Sequence, residues 1–436
     1  MNPTPNPDGR RLSGKKVFIH PMSYGAARVM AAGFRALGLD AEITPPSDHL
    51  TLELGSRHTG GDECYPAKIT VGDYMKVLQR PDVDPARTIL VMPAADGPCR
   101  FGQYSVYLRQ ILDANGFTQT EVMSPTCADG YEMDAAMQRT IWRGVVASDI
   151  VLKLLLQHRP YEQNPGDSDR VYEECLDDLC RTVASTPTAP AAQIRAFRGV
   201  LERCRARFRG LAVRRDRSTP LVGIVGEIFC RLNAFSNDDL IRRLEGYGAE
   251  AWISDIAEWV WYSNTEQFRN LRLAGRLCSL EALGAWIRNH VQHRDEHFLI
   301  ESFREDFAGY EEPNIKEILE AARPYLPQDG AMGEMVLNVG KAVCLARRGV
   351  DGIVDISPFT CMNGVVCEAI YPRLSRDLGG IPIRNFYFDG TQSDLDSDLG
   401  VFLELARTYQ RRKKSARPWP PLWGRIAAPG VVSAAT

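Results

Sequence analysis

Apolar residues along this chain occur in two alternating patterns, short continuous runs and longer stretches with helical spacing. The run Lys15–His20 is followed by Gly25–Leu37, where small and apolar residues recur at helical spacing, and then by the run Ala41–Thr44. This order predicts a strand, a helix and a second strand at the start of the chain. The alternation of helix and strand then continues. Ile69–Leu78 is predicted to be a helix, and Thr88–Met92 is predicted to be a buried strand.

The same patterns divide the chain into regions. A helix is predicted over Gly102–Asn115 and a strand over Thr118–Ser124, so residues 15–133 are expected to form a first α/β domain with a mostly parallel sheet. Residues 134–217 keep helical periodicity without a convincing strand, which predicts a helical connector. A second α/β domain is predicted over residues 218–410.

The second domain has the same alternation of elements. Its predicted strands are Leu221–Val225, Ala249–Ile253, Val350–Ile356 and Asn385–Asp389. A helical insertion rich in Trp, Arg and Phe is expected at about residues 257–326, and residues 411–436, basic and then rich in Pro and Trp, are expected to be loose. The predicted fold class is therefore α/β, with two parallel-sheet domains, a helical connector and a helical insertion.

Composition argues against several classes of partner. The 436 residues carry 52 Lys and Arg against 55 Asp and Glu, a formal net charge of −3, so no overall field attracts nucleic acid or an anionic membrane. No run of about 18 apolar residues occurs, and the polar N-terminus lacks an apolar core. These features predict a cytoplasmic protein with no nucleic-acid and no membrane partner.

Eleven cysteines in such a protein are expected to be reduced. Five lie in helical patterns beside Leu, Val and Ala and are expected to pack as small hydrophobic residues: Cys175, Cys180, Cys204, Cys278 and Cys344. Cys64, Cys99 and Cys361 differ, because each lies in a loop marked by Gly or Pro. Two of these loops follow predicted parallel strands, and open α/β sheets bind their ligands at that end of the strands.

Three single cysteines on separate loops have two interpretations. They lack the closely spaced ligand pairs of zinc fingers and zinc ribbons. Separate loops can bring three thiolates to one iron–sulfur cluster, because long sequence gaps are allowed when the fold supplies proximity. The alternative is three unrelated loop cysteines, and spacing alone leaves both interpretations open.

Charged residues near the predicted loops are candidates for the same site. Lys68 and Arg100 lie close in sequence to two of the cysteines, so their charge would favour thiolates and offset a negative cluster; the alternative is ordinary surface charge. Glu227 and Arg231 follow the end of a predicted strand and are placed to face a cluster or an acyl group. Asn237, further along, is expected to cap the next helix.

Other enzyme classes lack their sequence signatures. The chain contains no GxxxxGK[ST] phosphate loop, so any ATPase activity is expected to belong to a separate protein. No GxGxxG fingerprint follows the first predicted strand, which argues against an ordinary NAD dehydrogenase. None of the seven histidines lies in a motif typical of a cysteine hydrolase.

Four segments, taken in order, resemble one family of iron–sulfur proteins. They are GDECYPAKITVGDY at 61–74, GPCRFGQY at 97–104, SPFTCMNG at 357–364 and FYFDG at 386–390. The resemblance is to the 2-hydroxyacyl-CoA dehydratase D component and benzoyl-CoA reductase, and most closely to the branch of CoA-enzyme-activase-related proteins. It extends over most of the chain, from about Lys15 to Tyr409, and departs from the family pattern at Asn363, where proline is more common.

The resemblance implies two Rossmann-like (flavodoxin-like) domains with a [4Fe-4S] cluster between them. Carried over residue by residue, its ligands are Cys64, Cys99 and Cys361, which leaves one iron open. The resemblance also implies a dehydratase (lyase) or reductase acting on an acyl-CoA or similar small substrate. Such an enzyme receives a low-potential electron from a separate ATP-dependent activase of the Hsp70/actin type, and forms a homodimer or a heterodimer with a related subunit.

The sequence is also compatible with a second function, in which the protein is a non-catalytic iron–sulfur electron carrier or a scaffold partner of an activase. Cys127 bears on it, because this cysteine follows the strand-like run Thr118–Met123 and is a candidate fourth ligand. Four thiolates would close the cluster and suit electron transfer, whereas three leave an iron free for a substrate oxygen. Since the resemblance is weak around Cys127, we expect a packed cysteine there and an open cluster.

Overall fold

The structure is a computed structural model that describes residues 14–95, 97–125, 135–185, 189–327, 333–391 and 394–423. Cys127 therefore lies outside the described residues. The chain divides into two compact units, each assembled from three segments. Unit 1 comprises Met1–Ser148, Leu176–Val200 and Ser263–Asp295, and unit 2 comprises Asp149–Cys175, Leu201–Tyr262 and Glu296–Thr436.

In the described part of unit 1, the strands form one four-stranded parallel sheet in the order β2-β1-β3-β4. The strands are β1 (Lys16–Ile19), β2 (Asp40–Ile43), β3 (Thr88–Val91) and β4 (Glu121–Met123). The helices between them are α1 (Tyr24–Ala36), α2 (His49–His58), α3 (Tyr65–Leu78) and α4 (Tyr104–Ala114). Lys16 pairs with Asp40 on one side and with Thr88 on the other, which fixes the register of the central strand.

Both faces of this sheet are covered because consecutive strand residues point to opposite sides. Phe18 and Leu90 pack into a cluster with residues of α3 and α4. Val17 and Ile89, on the other face, pack with residues of α1. The short apolar runs seen in the sequence are therefore strands buried on both sides, as parallel sheets require.

In the described part of unit 2, a second four-stranded parallel sheet has the order β6-β5-β7-β8. Its strands are β5 (Leu221–Gly226), β6 (Glu250–Ile253), β7 (Gly352–Pro358) and β8 (Ile383–Phe388), with β5 and β7 fully buried. The helices that follow or join them are α8 (Ile228–Leu232), α9 (Leu240–Gly246), α12 (Ile315–Ala322), α13 (Glu334–Arg347), α14 (Met362–Asp377) and α15 (Leu395–Arg412). Two parallel sheets with helices between the strands confirm the predicted α/β class.

The remaining helices come from the two regions that the sequence marked as helical. They are α5 (Ala135–His158), α6 (Asp167–Ser185) and α7 (Pro190–Arg209), then α10 (Ile256–Leu273) and α11 (Leu280–Ile300). Residues 134–217, interpreted from the sequence as a connector, contribute to both units, because unit 1 takes Leu176–Val200 and unit 2 takes Asp149–Cys175.

The two units repeat one arrangement. In each unit, the strand that comes first along the chain is second in spatial order, and the strand that comes third along the chain lies next to it. The two sheets therefore have the same strand order. The helix before the third strand also matches, because α3 and α13 each carry a glycine at the contact with a preceding helix. A Cβ at Gly72 would overlap the carbonyl oxygen of Thr51 in α2, and a Cβ at Gly340 would overlap that of Ile318 in α12. Close helix approach therefore explains both glycines.

The segment after α15 packs on unit 2, in contrast to the loose tail expected from composition. Arg417 is buried, and its Nη2 donates to the hydroxyls of Tyr161 at 2.9 Å and Tyr310 at 3.1 Å, as well as to Glu250. Removing a buried, paired cation leaves its partner charge unpaired, which is strongly destabilising. Residues 413–423 are thus part of the folded unit.

Candidate functional site

The three loop cysteines share one local backbone arrangement. Each directly precedes a helix, with φ of −68° at Cys64, −68° at Cys99 and −67° at Cys361. Cys99 is exposed and the other two are half-buried, whereas Cys175 and Cys344 are buried in the core. Helix N-termini present free N–H groups, which favour a thiolate. Each of the three sulfurs thus lies beside a helix N-terminus and outside the fully buried core.

Within unit 1, the loops that carry Cys64 and Cys99 touch each other. Nη1 of Arg100 donates to the carbonyl oxygen of Asp62 at 2.6 Å. The hydroxyl of Tyr104, at the start of α4, contacts Sγ of Cys64. Contacts of this kind fix one loop against the other, although Cys64 and Cys99 are thirty-five residues apart in the sequence. The structure therefore brings two of the three predicted ligand loops together.

Glu63 anchors the turn in front of Cys64. Its carboxylate accepts the N–H groups of Gly60 at 3.1 Å and Gly61 at 2.9 Å, and it also accepts the hydroxyl of Tyr107 from α4. Although partial burial opposes the change, the hydrogen bonds from Tyr107 and Gly60 lower the pKa of Glu63. The carboxylate form is thus the one that holds this loop, and Glu63 is a positioning residue.

The two cations predicted beside the ligands take different positions. Arg100 is exposed and acts on the neighbouring loop through Asp62, as described above. Lys68 lies in the first turns of α3, half-buried, and its backbone N–H donates to the carbonyl oxygen of Cys64 at 3.4 Å. Lys68 therefore lies one helical turn after Cys64 in α3.

A buried carboxylate holds the strand ends of unit 1 behind this site. Asp73 of α3 is fully buried and accepts Ser47 Oγ and Thr51 Oγ1, both at 2.6 Å. Its other contacts are His20 Nε2 at 2.9 Å and Lys76 Nζ at 3.5 Å. His20 directly follows β1, so Asp73 connects the loop after this strand to α2 and α3.

In unit 2, Cys361 lies where the chain leaves β7 for α14. Thr360 has φ of 61°, a left-handed conformation that is costly for a β-branched residue and is common at functional sites. This backbone directs the chain so that the N–H of Cys361 donates to the carbonyl oxygen of Pro358 at 3.0 Å, and α14 begins at the next residue. Two residues on, Asn363 accepts the N–H of Met335 at 3.3 Å, which ties α14 to the start of α13.

Glu227 and Arg231 lie at the end of β5, next to β7 in the sheet. Gly226 has φ of 123°, and a Cβ there would overlap the backbone of Ile356, so only glycine allows this close approach. Glu227 then caps the short helix α8, accepting the N–H groups of Phe229 at 3.1 Å and Cys230 at 2.9 Å. Asn237, which was expected to cap the next helix, accepts the N–H of Leu240, the first residue of α9, with its Oδ1 at 3.2 Å, although Asp239 occupies the N-cap position.

Arg231 has the properties of a group that binds an anion or a polarised oxygen. It is 1% exposed, and its Nη1 donates to the carbonyl oxygen of Gly226 at 3.3 Å. Its Nε has no hydrogen-bond partner among the described residues. A buried donor that is left unpaired costs free energy, so such a group in a native structure calls for an additional partner.

Glu334 completes this acidic site, and the sequence analysis did not identify it. It is the first residue of α13, buried, and its carboxyl accepts the N–H of Ile228 at 3.3 Å. Burial, together with the negative charge of Glu227, raises the pKa of Glu334 to about 8, while Arg231 opposes the shift. The raised pKa favours the protonated form of Glu334 at neutral pH.

Cys361 is within electrostatic reach of these carboxyls. Burial raises the pKa of the Cys361 thiol to about 12, and the negative charges of Glu227 and Glu334 add to this shift. The N–H groups of Gly364 and Asn363 oppose it. The hydrogen bonds from Ile228 to Glu334 and from Met335 to Asn363 hold the segments that carry Glu227, Arg231, Glu334 and Cys361 together at the carboxyl ends of β5 and β7. The strands β5 and β7 are neighbours at the centre of this sheet, and the chain leaves them in opposite directions, from β5 to β6 on one side and from β7 to β8 on the other. The site therefore lies at the topological switch point of the sheet, where open α/β sheets bind ligands.

The three cysteines offer the thiol donors that an iron–sulfur cluster requires, because each directly precedes a helix and none is fully buried. Among the described residues, no group of three or more His, Cys, Asp or Glu side chains is arranged to hold a metal ion.

No helix in the described ranges is long and apolar enough to cross a membrane.

Two residues of the site were missed because their partners are distant in the sequence. Tyr104 contacts a cysteine forty residues earlier, and no local pattern indicates such a contact. Glu334 had a weak signal, an acidic residue directly after Gly333 at the start of a helical pattern, which is typical of a helix N-terminus.

Compared with models of known protein families and with curated proteins, the chain matches none of them.

Proposed function

We propose that this protein binds a [4Fe-4S] cluster through Cys64, Cys99 and Cys361 and acts as a dehydratase or reductase of the 2-hydroxyacyl-CoA dehydratase and benzoyl-CoA reductase type. The observation that carries the proposal is the position of Cys361, Glu227, Arg231 and Glu334 at a sheet switch point, where hydrogen bonds join their segments. The contact between the two cysteine loops of unit 1 supports it independently.

The proposed fold is a pair of Rossmann-like (flavodoxin-like) domains with a helical connector and a helical insertion. The strand order supports this assignment, because the first strand of each sheet lies second and the third strand lies beside it, as in doubly wound folds of the flavodoxin type. The proposal includes a cytoplasmic location, and the sequence-based expectation that the eleven cysteines are reduced supports it.

The cluster, when bound, would supply a low-potential electron, received from a separate ATP-dependent activase of the Hsp70/actin type. The residues of the chain have their own tasks. Arg231 would bind a carbonyl or carboxylate oxygen of an acyl-CoA or similar small substrate with its unpaired Nε. Glu334 holds a proton beside it, and Glu227 is fixed by two N–H groups, so its carboxylate keeps one position while substrate binds.

The proposal is tested by iron and sulfide analysis and paramagnetic resonance of protein purified without oxygen. The parent protein should carry about four iron and four sulfide per chain. Replacing any one of Cys64, Cys99 and Cys361 by Ala should remove the cluster or make it labile. Cys278→Ala is the matched control for Cys99, because both cysteines are exposed, and it should keep full iron content.

Full iron content in all three ligand variants would refute the ligand assignment. Addition of cyanide separates the enzyme from an electron carrier. An open iron binds the ion and changes the spectrum, whereas a spectrum that is indifferent to cyanide would indicate a closed cluster and favour electron transfer.

A further inference from the structure

Unit 2 contains a small cavity between helix α5 and strand β6. Its lining includes Lys153 and Gln157 of α5, Ala251 and Ile253 of β6, and Asp255, which follows β6. The volume open to the centre of a water-sized molecule is about 10 Å³. One water molecule needs about 10–15 Å³ by the same measure, so the cavity admits a single molecule of this size.

Gln157 lines this cavity, and its side-chain amide calls for a partner. The residue is 3% exposed, and neither its Oε1 nor its Nε2 has a hydrogen-bond partner among the described residues. A buried amide without a partner costs free energy, so nearly all such groups in native proteins are paired. Gln193 of α7 shows the usual case, because its Oε1 accepts from Arg143 at 2.6 Å and its Nε2 donates to Thr140 at 2.7 Å.

The main chain of β6 adds polar groups to the same wall. This strand is at the edge of its sheet, next to β5. The N–H of Ser254 donates to the carbonyl oxygen of Ile224 at 3.2 Å, on the β5 side. Because successive residues of a strand direct their main-chain groups to opposite sides, those of Ile253 and Ala251 point to the outer edge. Both residues line the cavity, so the outer edge of β6 faces it.

The charges around the cavity favour a neutral occupant. Lys153 and Asp255 both line it, so a bound cation would meet the ammonium group and a bound anion would meet the carboxylate. Nζ of Lys153 lies 3.7 Å from Oδ2 of Asp255, which is longer than a hydrogen bond. An apolar occupant would leave the amide of Gln157 unpaired. Water is a neutral molecule of the right size that both donates and accepts hydrogen bonds.

We propose that this cavity is a binding site for one water molecule, held by the amide of Gln157, the outer edge of β6 and the carboxylate of Asp255. The site does not depend on the iron–sulfur cluster proposed above. The side chains of Lys153 and Asp255 are 11% and 17% exposed, so the bound water can exchange with solvent on their side. Since water donates and accepts, it gives Asp255 a partner in either protonation state.

A crystal structure of the full-length protein, at a resolution that shows ordered water, tests the site. One water should lie at about 2.7–3.2 Å from the amide of Gln157. In Gln157→Leu this water should be lost or displaced. Gln193→Leu is the matched control, because Gln193 is equally buried but is paired within the protein, and it should keep the water.

Three results would overturn the proposal. The first is a parent structure without density in the cavity, and the second is a water that stays in place in Gln157→Leu. The third is a peak that anomalous scattering identifies as an ion. Each of these results is read from the crystals directly, so none depends on the activity or the cluster content of the protein.

A double-mutant cycle tests the site in solution. Gln157→Leu and Asp255→Leu should each raise the equilibrium constant of urea unfolding. If one water bridges the two side chains, the effect of both changes together should depart from the product of the single effects by about two- to tenfold. The control pair, Gln157→Leu with Gln193→Leu, should be multiplicative within about twofold, because these residues share no partner.

Multiplicative effects of Gln157→Leu and Asp255→Leu would show that nothing connects the two side chains, which would also overturn the proposal. Circular dichroism shows whether each variant is folded. If Asp255→Leu does not fold, the crystallographic comparison of the parent with Gln157→Leu still decides, because it needs no change at Asp255.

Discussion

At the scale of single residues, this chain buries charges that are paired over long sequence distances. Lys341 of α13 is fully buried and donates to Glu258 at 2.5 Å and also to Glu312. Lys153 of α5 donates to Glu312 as well, and lies 3.7 Å from Asp255. A buried network of this kind is costly when any member loses its partner, because each remaining charge has little solvent to stabilise it.

Glu296, beside this network, gives stability a pH dependence. Burial raises its pKa from the ordinary 4.5 to about 7, and the hydrogen bond from Trp261 opposes the shift. The folded chain then binds a proton more tightly than the unfolded chain does, so the free energy of unfolding falls as pH rises from about 4.5 to about 7. The lost stability is on the order of 1–3 kcal/mol.

Glu296→Gln removes this titration and keeps an acceptor for the indole N–H of Trp261, which lies 3.0 Å from Glu296 Oε1. Urea unfolding should therefore find the variant more stable than the parent at pH 8 and nearly equal to it at pH 4.5. Equal pH profiles for the two proteins would show that Glu296 is not the group that titrates.

The candidate site was predictable from the sequence only where local pattern carries information. The loops of Cys64, Cys99 and Cys361 have Gly and Pro around a polar turn, and this pattern indicated them. Glu334 could not be assigned, because its importance comes from a hydrogen bond with Ile228 and from the charge of Glu227, both more than a hundred residues earlier in the sequence. Burial of a charge depends on packing, and composition does not reveal it.

At the scale of secondary-structure elements, the paired glycines control helix packing. Gly72→Ala should force α2 and α3 apart, and Gly340→Ala should do the same to α12 and α13, because each new Cβ overlaps a carbonyl oxygen that cannot move alone. Each substitution is expected to reduce stability by about 2 kcal/mol or more. Hydrogen exchange should show the loss of protection mainly in the unit that carries the substitution.

Gly400→Ala is the control for this effect. Gly400 lies within α15, and a Cβ there would meet nothing within 4 Å. Since alanine is the better helix former, this variant should gain about 0.5–1 kcal/mol. Destabilisation by all three substitutions would mean that close approach is not the reason for Gly72 and Gly340.

Strands were easier to predict than some helices. The buried strands β5 and β7 appear in the sequence as continuous apolar runs, and their observed bounds lie close to the predicted ones. Helix α2 was not predicted, because its sequence HLTLELGSRH has few apolar residues and a glycine near its end. Its start depends instead on a capping box, in which Asp48 accepts the N–H of Thr51 and Thr51 accepts that of Asp48.

At the scale of the whole molecule, the absence of a phosphate-loop motif from the sequence has a direct consequence. The purified chain alone is expected not to hydrolyse ATP, so reduction of the proposed cluster should require a partner ATPase. A coupled assay of phosphate release tests this expectation. Turnover that persists through further purification, and that disappears when a residue of this chain is mutated, would instead place a nucleotide site in the protein.

The interleaving of the two units along the chain also affects synthesis on the ribosome. Unit 1 takes segments from as far along as Asp295, although all four strands of its sheet precede Ser148. At about 5–20 residues per second, roughly 7–30 s pass between synthesis of these two residues. During that interval Arg139 and Arg143 of α5 lack Asp295, their partner in α11, so this part of unit 1 completes its packing later than a domain encoded in one continuous segment does.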